Sequence, residues 1–279
     1  MPLQKDIGIV LRRLDYSETS QILVVFTREH GQQRVIAKGV KRSTKKKAST
    51  GIDLLEQGRI VFSQRPGKED AMATLTEWRQ EESYVHVHRD LYRMYAAQYA
   101  AEVTAQLTEV NDPHAMLFDA LDSLLRDLAN IDPVAALVQF LWTMLREIGL
   151  RPEMSRCVNC GRDAAGDRML HFSSHAGGVI CRDCEPHVVE KIRIDGEAAL
   201  ILATLNGAAP DGGEGGDEER ADVGGTQVHA VDAAVERADR RVIHRAFEIL
   251  DYHLTETMGK QARLRGPLMA MMGQAERGK

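Results

Sequence analysis

Cys157, Cys160, Cys181 and Cys184 are the four cysteines of the 279-residue chain, and they form two CxxC pairs separated by twenty residues. One CxxC turn presents two thiolates from a tight knuckle, and two knuckles complete the closed, tetrahedral sphere of a structural zinc. Gly161, directly after the first pair, suits the left-handed backbone such knuckles use. Between the pairs, MLHFSSHAGGVI reads as a hairpin turning at Gly177-Gly178. Three other chemistries compete. A redox CxxC belongs at a strand-to-helix turn in a βαβ unit, a pattern this chain lacks. Two disulfides need an oxidising compartment. A catalytic zinc keeps one open position and leans on His or Glu; His171, His175 and His187 lie nearby, but four cysteines already fill the sphere. The spacing therefore points to Zn2+ as a structural cofactor on the four cysteines. Apparent zinc-binding energies of about 10–16 kcal/mol exceed what the core of so short a segment supplies.

The second cluster is electrostatic. Arg28, Arg34, Lys38, Lys41, Arg42, Lys45, Lys46 and Lys47 fall within one stretch whose only acid is Glu29. Net charge is -5, from 36 Lys and Arg against 41 Asp and Glu, so the rest of the chain is acidic around one basic lobe. Flexible lysines and one fork-shaped guanidinium suit sequence-independent contact with phosphates. Arg34, Lys38, Lys41, Arg42, Lys45, Lys46 and Lys47 are the candidate DNA-binding residues. The first 80 residues hold few aromatics (Tyr16, Phe26, Phe62, Trp78), which points to backbone tracking more than base stacking. RNA is an alternative ligand, and a zinc-ribbon protein working through protein partners is another.

Nothing in the chain assembles a catalytic constellation. It has no GxxxxGK[ST] loop, no HExxH and no GxSxG. The expectation is a binding protein and not an enzyme. No apolar run reaches the ~18 residues of a membrane helix, and the first residues lack the apolar core of a secretory signal. Cytoplasmic localisation, with no membrane partner, is expected.

These residues need elements to hold them. Up to about residue 80 the pattern is short strands: Asp6 to Leu14, Gln21 to Thr27, Gln33 to Val40, Arg59 to Arg65 and Met72 to Trp78. Five strands in that length suit an OB-fold barrel, taken as residues 1–80. Helical periodicity follows. Tyr92, Tyr95, Tyr99, Val103 and Leu107 share one stripe, and Asp112-Pro113 and Asp132-Pro133 each carry a helix-start signal. The second of these starts a helix with Leu137, Leu141, Leu145 and Ile148 on its apolar face. The helical domain runs over 81–152, is interrupted by the zinc element at 153–190 and resumes over 191–279. There Asp195 caps a helix, and another is expected over Val231 to Thr257. The Gly-rich, acidic stretch 208–227 reads as a disordered loop. The fold class is α+β: a five-stranded barrel, then helices carrying a four-cysteine element.

The stretch Val10-Leu-Arg-Arg-Leu-Asp-Tyr-Ser-Glu-Thr-Ser-Gln-Ile-Leu, then Phe26-Thr-Arg-Glu-His-Gly, then Val35-Ile-Ala-Lys-Gly-Val-Lys-Arg, resembles the RecO family of recombination mediators in order and spacing. Arg156-Cys157-Val-Asn-Cys160-Gly and the hairpin from Phe172 to Cys184 resemble the family's zinc-bearing branch. The resemblance implies DNA repair and homologous recombination: binding of single- and double-stranded DNA, strand annealing, and loading of RecA with a RecR partner onto strands covered by single-strand-binding protein. By position it places Lys38, Lys41 and Arg42 on DNA and the four cysteines on the metal. It further implies a cytoplasmic, nucleoid-associated protein. The basic segment around Arg237, Arg240, Arg241 and Arg245 is a candidate for contact with the tail of single-strand-binding protein. The acidic stretch after Ala208 and the ending PLMAMMGQAERGK depart from the family pattern.

Overall fold

The structure is a computed structural model that describes residues 3–41, 51–64, 71–164, 166–205, 235 and 237–277. Arg42, Lys45, Lys46, Lys47 and the acidic stretch 208–227 lie outside these residues. In chain order the strands and helices are β1 (Leu3–Asp15), β2 (Gln21–Thr27), β3 (Gly31–Ala37), β4 (Gln57–Ser63), β5 (Ala73–Glu82), α1 (Val85–His88), α2 (Leu91–Leu107), α3 (Ala115–Asp127), α4 (Pro133–Glu147), β6 (Met169–Ser173), β7 (Gly178–Ile180), β8 (Ile192–Asp195), α5 (Gly196–Thr204), α6 (Arg240–Met258) and α7 (Arg265–Arg277). They form two units: Met1–Pro133 with Gln261–Gly278, and Val134–Lys260.

In the first unit β1 to β5 close a barrel in the order β1-β2-β3-β5-β4, the five-stranded architecture expected from the strand spacing. Alternation drives it. Leu23 and Val25 of β2 point inward beside Val10, Val35, Ile60 and Phe62, all fully buried, each such side chain contributing about 1.5–3 kcal/mol. The barrel closes through a parallel β3–β5 seam of only two residue pairs, Val35–Ala73 and Ile36–Thr74. β3 ends at Ala37, not at Val40, because Lys38 to Lys41 turn away from the sheet. β5 continues past Trp78 to Glu82, pairing with β4 throughout.

Helices α2, α3 and α7 complete this unit. Asp90 caps α2 by accepting the Arg93 N–H. Tyr99 and Val103 are buried as their stripe predicts, and the alanines 96, 97, 100 and 101 are buried too, so the helix is enclosed on more than one side. The Asp112-Pro113 signal misplaces α3, which starts at Ala115, with His114 at the N-cap position making no side-chain capping bond. The preceding backbone is committed elsewhere: Asn111 N–H donates to Gln32 O at 3.1 Å, and Gln32 bridges to Val110. The end of the sequence, for which the sequence pattern gave no separate helix, folds back as α7 on α2. Glu102 of α2 receives the Arg263 and Leu264 N–H groups at 2.9 and 3.1 Å and so caps the approach to that helix.

Helix α4 starts with Pro133 at its first position, as the Asp132-Pro133 signal predicts, and its Leu137, Leu141 and Leu145, in the second unit, are fully buried. β6 and β7 form the expected hairpin, and β8, which the sequence pattern did not reveal, pairs with the other edge of β6. Asp195 caps α5 through the Glu197 N–H. Asp239, extended and accepting the Arg241 N–H, interrupts the long helix expected from Val231, so α6 starts at Arg240. Phe247, Ile249, Leu250 and Leu254 of α6 are buried. Among the described residues, no helix is long and apolar enough to cross a membrane.

Candidate nucleic-acid face and metal centre

The antiparallel registers order the outer face of the barrel. Arg12 lies opposite Val24 and Val24 opposite Arg34, so two exposed guanidinium groups flank one valine on three adjacent strands. The next row on that face is Leu14, Ile22 and Ile36. Leu14 is 63% exposed. Lys38 follows, exposed at the exit of β3. Arg12 was not among the sequence candidates; cross-strand register placed it beside Arg34, and β1 gives no local sign of that neighbour. Lys41 is a different case. Its Nζ pairs with Asp15 at 2.9 Å and its N–H donates to Thr19 O, so it fastens the turn as well as adding charge.

Arg28 opens the basic run but does other work. Its Nε and Nη2 donate to both oxygens of Asp119 on α3 at 2.9 Å, and Nη1 pairs with Glu29. The next residues explain the Thr-Arg-Glu-His-Gly stretch. Asp6, nearly all buried, accepts the Glu29 and His30 N–H groups and the His30 ring Nδ1 at 2.7 Å. Gly31 has φ +67, and a Cβ there would lie 2.1 Å from Asp112 O. Only glycine meets both demands. Phe26 and Phe118 meet at 6.1 Å beneath the turn. This motif therefore joins the barrel to its own helices, and Arg28 leaves the basic lobe.

The metal centre is in the second unit. The four cysteine sulfurs lie within 4.8 Å of one another, and they are the one such cluster among the described residues. Cys160 and Cys181 sulfurs are 3.7 Å apart. Thiolates about 2.3 Å from a tetrahedral ion are separated by about 3.8 Å, so the spacing fits one metal ion. The first knuckle is made by Gly161 N–H donating to Cys157 O at 2.8 Å, with Gly161 at φ +74 as expected. Val158 N–H donates to Val179 O and so ties that knuckle to β7. The second knuckle follows β7 directly, with Cys184 N–H donating to Cys181 O.

Electrostatics favour a cation there. Burial pushes the Cys157 thiol up, but the backbone N–H groups of Cys181, Cys160 and Asn159 more than offset it, bringing it down to about 6. Cys184 accepts from the Asn159 side chain, yet burial and the neighbouring sulfurs push it up to about 12. Four adjacent sulfurs cannot all ionise without a positive charge among them. Arg162 supplies part of it, lying against Cys181 and paired with Asp167 at 2.6 Å. His171, His175 and His187 stand outside the cluster.

The chain matches two family models: "Recombination protein O N terminal" over residues 1–84 and "Recombination protein O C terminal" over residues 88–214. A "DNA repair protein RecO" of Rhodopirellula baltica is 36% identical over 181 residues, covering 64% of this chain and 66% of that protein. Its counterpart in Bacillus pumilus is 33% identical over 202 residues, covering 72% of this chain and 75% of that protein. One from Desulfitobacterium hafniense is 31% identical over 178 residues, covering 64% of this chain and 63% of that protein. The match thus spans about two thirds of the length of these relatives.

Proposed function

The chain belongs to the recombination protein O family, and from that premise we propose that it acts in DNA repair and recombination by binding single- and double-stranded DNA on its barrel. The observation that carries the reading is the row Arg12–Val24–Arg34 with Lys38 beyond it, cations beside an apolar strip on one outer face. Lys41, Arg42, Lys45, Lys46 and Lys47 are DNA-binding residues in the same proposal. Positive charges at strand spacing neutralise phosphates without reading sequence, and the apolar rows give unpaired bases a dry surface. Neutralising two strands on one face lets them approach, which is what annealing needs.

The protein forms and breaks no covalent bond in this reading and is not an enzyme. With a RecR partner it helps load RecA onto strands covered by single-strand-binding protein, in the cytoplasm at the nucleoid. The ion on Cys157, Cys160, Cys181 and Cys184 is zinc, the metal that an all-thiolate tetrahedral set suits. A closed sphere of this kind supplies folding energy and no open coordination position. The four cysteines hold it, and Arg162 offsets the excess negative charge.

The test is fluorescence anisotropy of a labelled single strand over a salt series. Wild type is expected to lose affinity steeply, with log K against log salt falling by about 0.7 per phosphate contacted. Changing Arg12, Arg34 and Lys38 to Ala flattens the slope by about 2 if all three touch phosphate. An unchanged slope would place the DNA elsewhere, and no binding at low salt would reject the reading.

A further inference from the structure

The short seam that closes the barrel leaves a gap. Beyond Ile36–Thr74, strands β3 and β5 diverge, and a cavity of about 300 Å³ opens between the exit of β3, the segment Gly51 to Glu56, and Leu75 to Gln80. That volume is at the lower end of small-ligand sites, about 300–1,000 Å³. Val40, Ile52, Leu75 and Trp78 give it apolar walls, while Lys38, Glu56 and Glu77 bring charge. Two of these residues are set in place. The Trp78 indole lies against Gly58, where a Cβ would come within 2.8 Å of its ring atoms. Its Nε1 is buried beside the Glu56 carboxyl and helps to keep that group ionised.

Glu56 is half-buried. Burial raises its carboxyl above the usual range, against a donated Asp53 N–H that lowers it. A carboxylate has about four lone-pair positions, so acceptor capacity remains. Asp53 itself is paired with Arg13 at 2.7 Å, so it does not compete for a ligand.

We propose that this cavity receives one unpaired nucleobase and reads it as guanine. The inference rests on the DNA-binding reading and adds to it a base-specific site. An ionised carboxylate only accepts hydrogen bonds, and among the bases guanine alone presents two adjacent N–H donors, N1 and N2, on its Watson–Crick edge. Thymine offers a single N–H, N3, between two carbonyl oxygens, which face the carboxylate unfavourably, so it binds more weakly. The indole and the apolar walls supply the flat contact that an extruded base needs. Lys38 at the rim meets a neighbouring phosphate of the strand. In a duplex the Watson–Crick edge is occupied, so the cavity distinguishes unpaired from paired DNA.

The experiment uses the full chain and a labelled oligothymidylate with one central position changed to guanine, to inosine (which lacks the N2 amino group), or to an abasic site. Guanine is expected to bind on the order of tenfold tighter than the abasic strand, with inosine between them. The isosteric change E56Q removes the ordering: the guanine and inosine strands fall to the level of the abasic strand, which itself binds only slightly better with one negative charge fewer. Equal affinities for the three strands in wild type would overturn the pocket while leaving DNA binding in place. A guanine preference that survives E56Q would overturn it as well. Binding of none of the strands at low salt would overturn both readings.

Discussion

The barrel and the cysteine module solve the same problem with different materials. Nine buried side chains (Val10, Leu23, Val25, Val35, Ala37, Ile52, Ile60, Phe62 and Ala73) fill the barrel, and its ladder closes on itself. The cations on its outside are extra to that fold. Around the cysteines, the corresponding cluster is Cys157, Ile180, Cys181 and Cys184, with Val188 packed on it. Three of its four buried members are metal-ligand candidates, so the functional atoms are themselves the core. Chemistry can therefore be removed from the surface of the barrel without unfolding it, whereas in the module removing the chemistry removes the fold.

The strongest way to break that comparison is Cys157→Ser. It leaves three thiolates and takes away a residue only 1% exposed. Bound metal should be lost, and with it much of the about 10–16 kcal/mol that a four-thiolate zinc contributes. Hydrogen exchange should become fast in β6 and β7 and stay slow in β1 to β5. Undiminished protection of β6 and β7, with the metal gone, would mean that the hairpin packs adequately on its own.

The same contrast governs what could be read from the chain. The four cysteines were legible because a metal knuckle is local: two ligands, two residues between them and a glycine. The strands were legible from alternation, and the Asp195 cap from one polar residue before an apolar run. Arg12 was not, because its neighbour Arg34 is two strands away and a bulge between Val10 and Arg12 shifts the register. The start of α3 was misjudged for a related reason. Asp112-Pro113 has the right local chemistry, but the loop before it is spent on the β2–β3 turn, and tertiary hydrogen bonds outweigh a cap worth about 1 kcal/mol. β8 and α7 escaped notice because each depends on a distant partner, β6 and α2 respectively.

A smaller effect should come from His253, which ties three parts of the second unit together. Leu150 O only accepts, so ring Nε2 carries the proton at 2.8 Å, and Nδ1 accepts from the Ser174 hydroxyl at 2.7 Å. The ring also stands edge-on to Phe172 of β6 at 5.7 Å. Burial holds its pKa below the ordinary value of 6.5, against the Leu150 carbonyl and Glu190, which raise it. The folded state thus binds this proton less readily than the unfolded chain. Its stabilising share is complete above about 6.5 and is lost as pH falls through the folded value. Chemical denaturation at pH 7.5 and 5.5 should show a larger loss for wild type than for His253→Gln. At pH 7.5 the variant should be weaker by about 1–3 kcal/mol, the cost of disturbing buried hydrogen bonds. An identical pH response in both would remove His253 from this role.

The smallest effect sharpens the comparison most, because it asks whether every cation on the barrel belongs to the proposed DNA face. Arg28 is drawn to Asp119 by two parallel hydrogen bonds, with side chains 40% and 48% exposed. Solvent screens a pair so placed, and its contribution is about 0.5–1 kcal/mol. Arg28→Ala should lower stability by that amount and leave the salt slope of DNA binding unchanged, since this guanidinium is committed to α3. The exchange Arg28→Asp with Asp119→Arg restores part of the loss if the contact is structural, yet puts a negative charge where a phosphate contact would need a positive one. Recovered stability with an unaltered salt slope would separate the turn that holds the barrel to its helices from the rows Arg12, Arg34 and Lys38. A slope that flattened with Arg28→Ala alone would return Arg28 to the basic lobe, and the proposed DNA face would then extend across the β2–β3 turn.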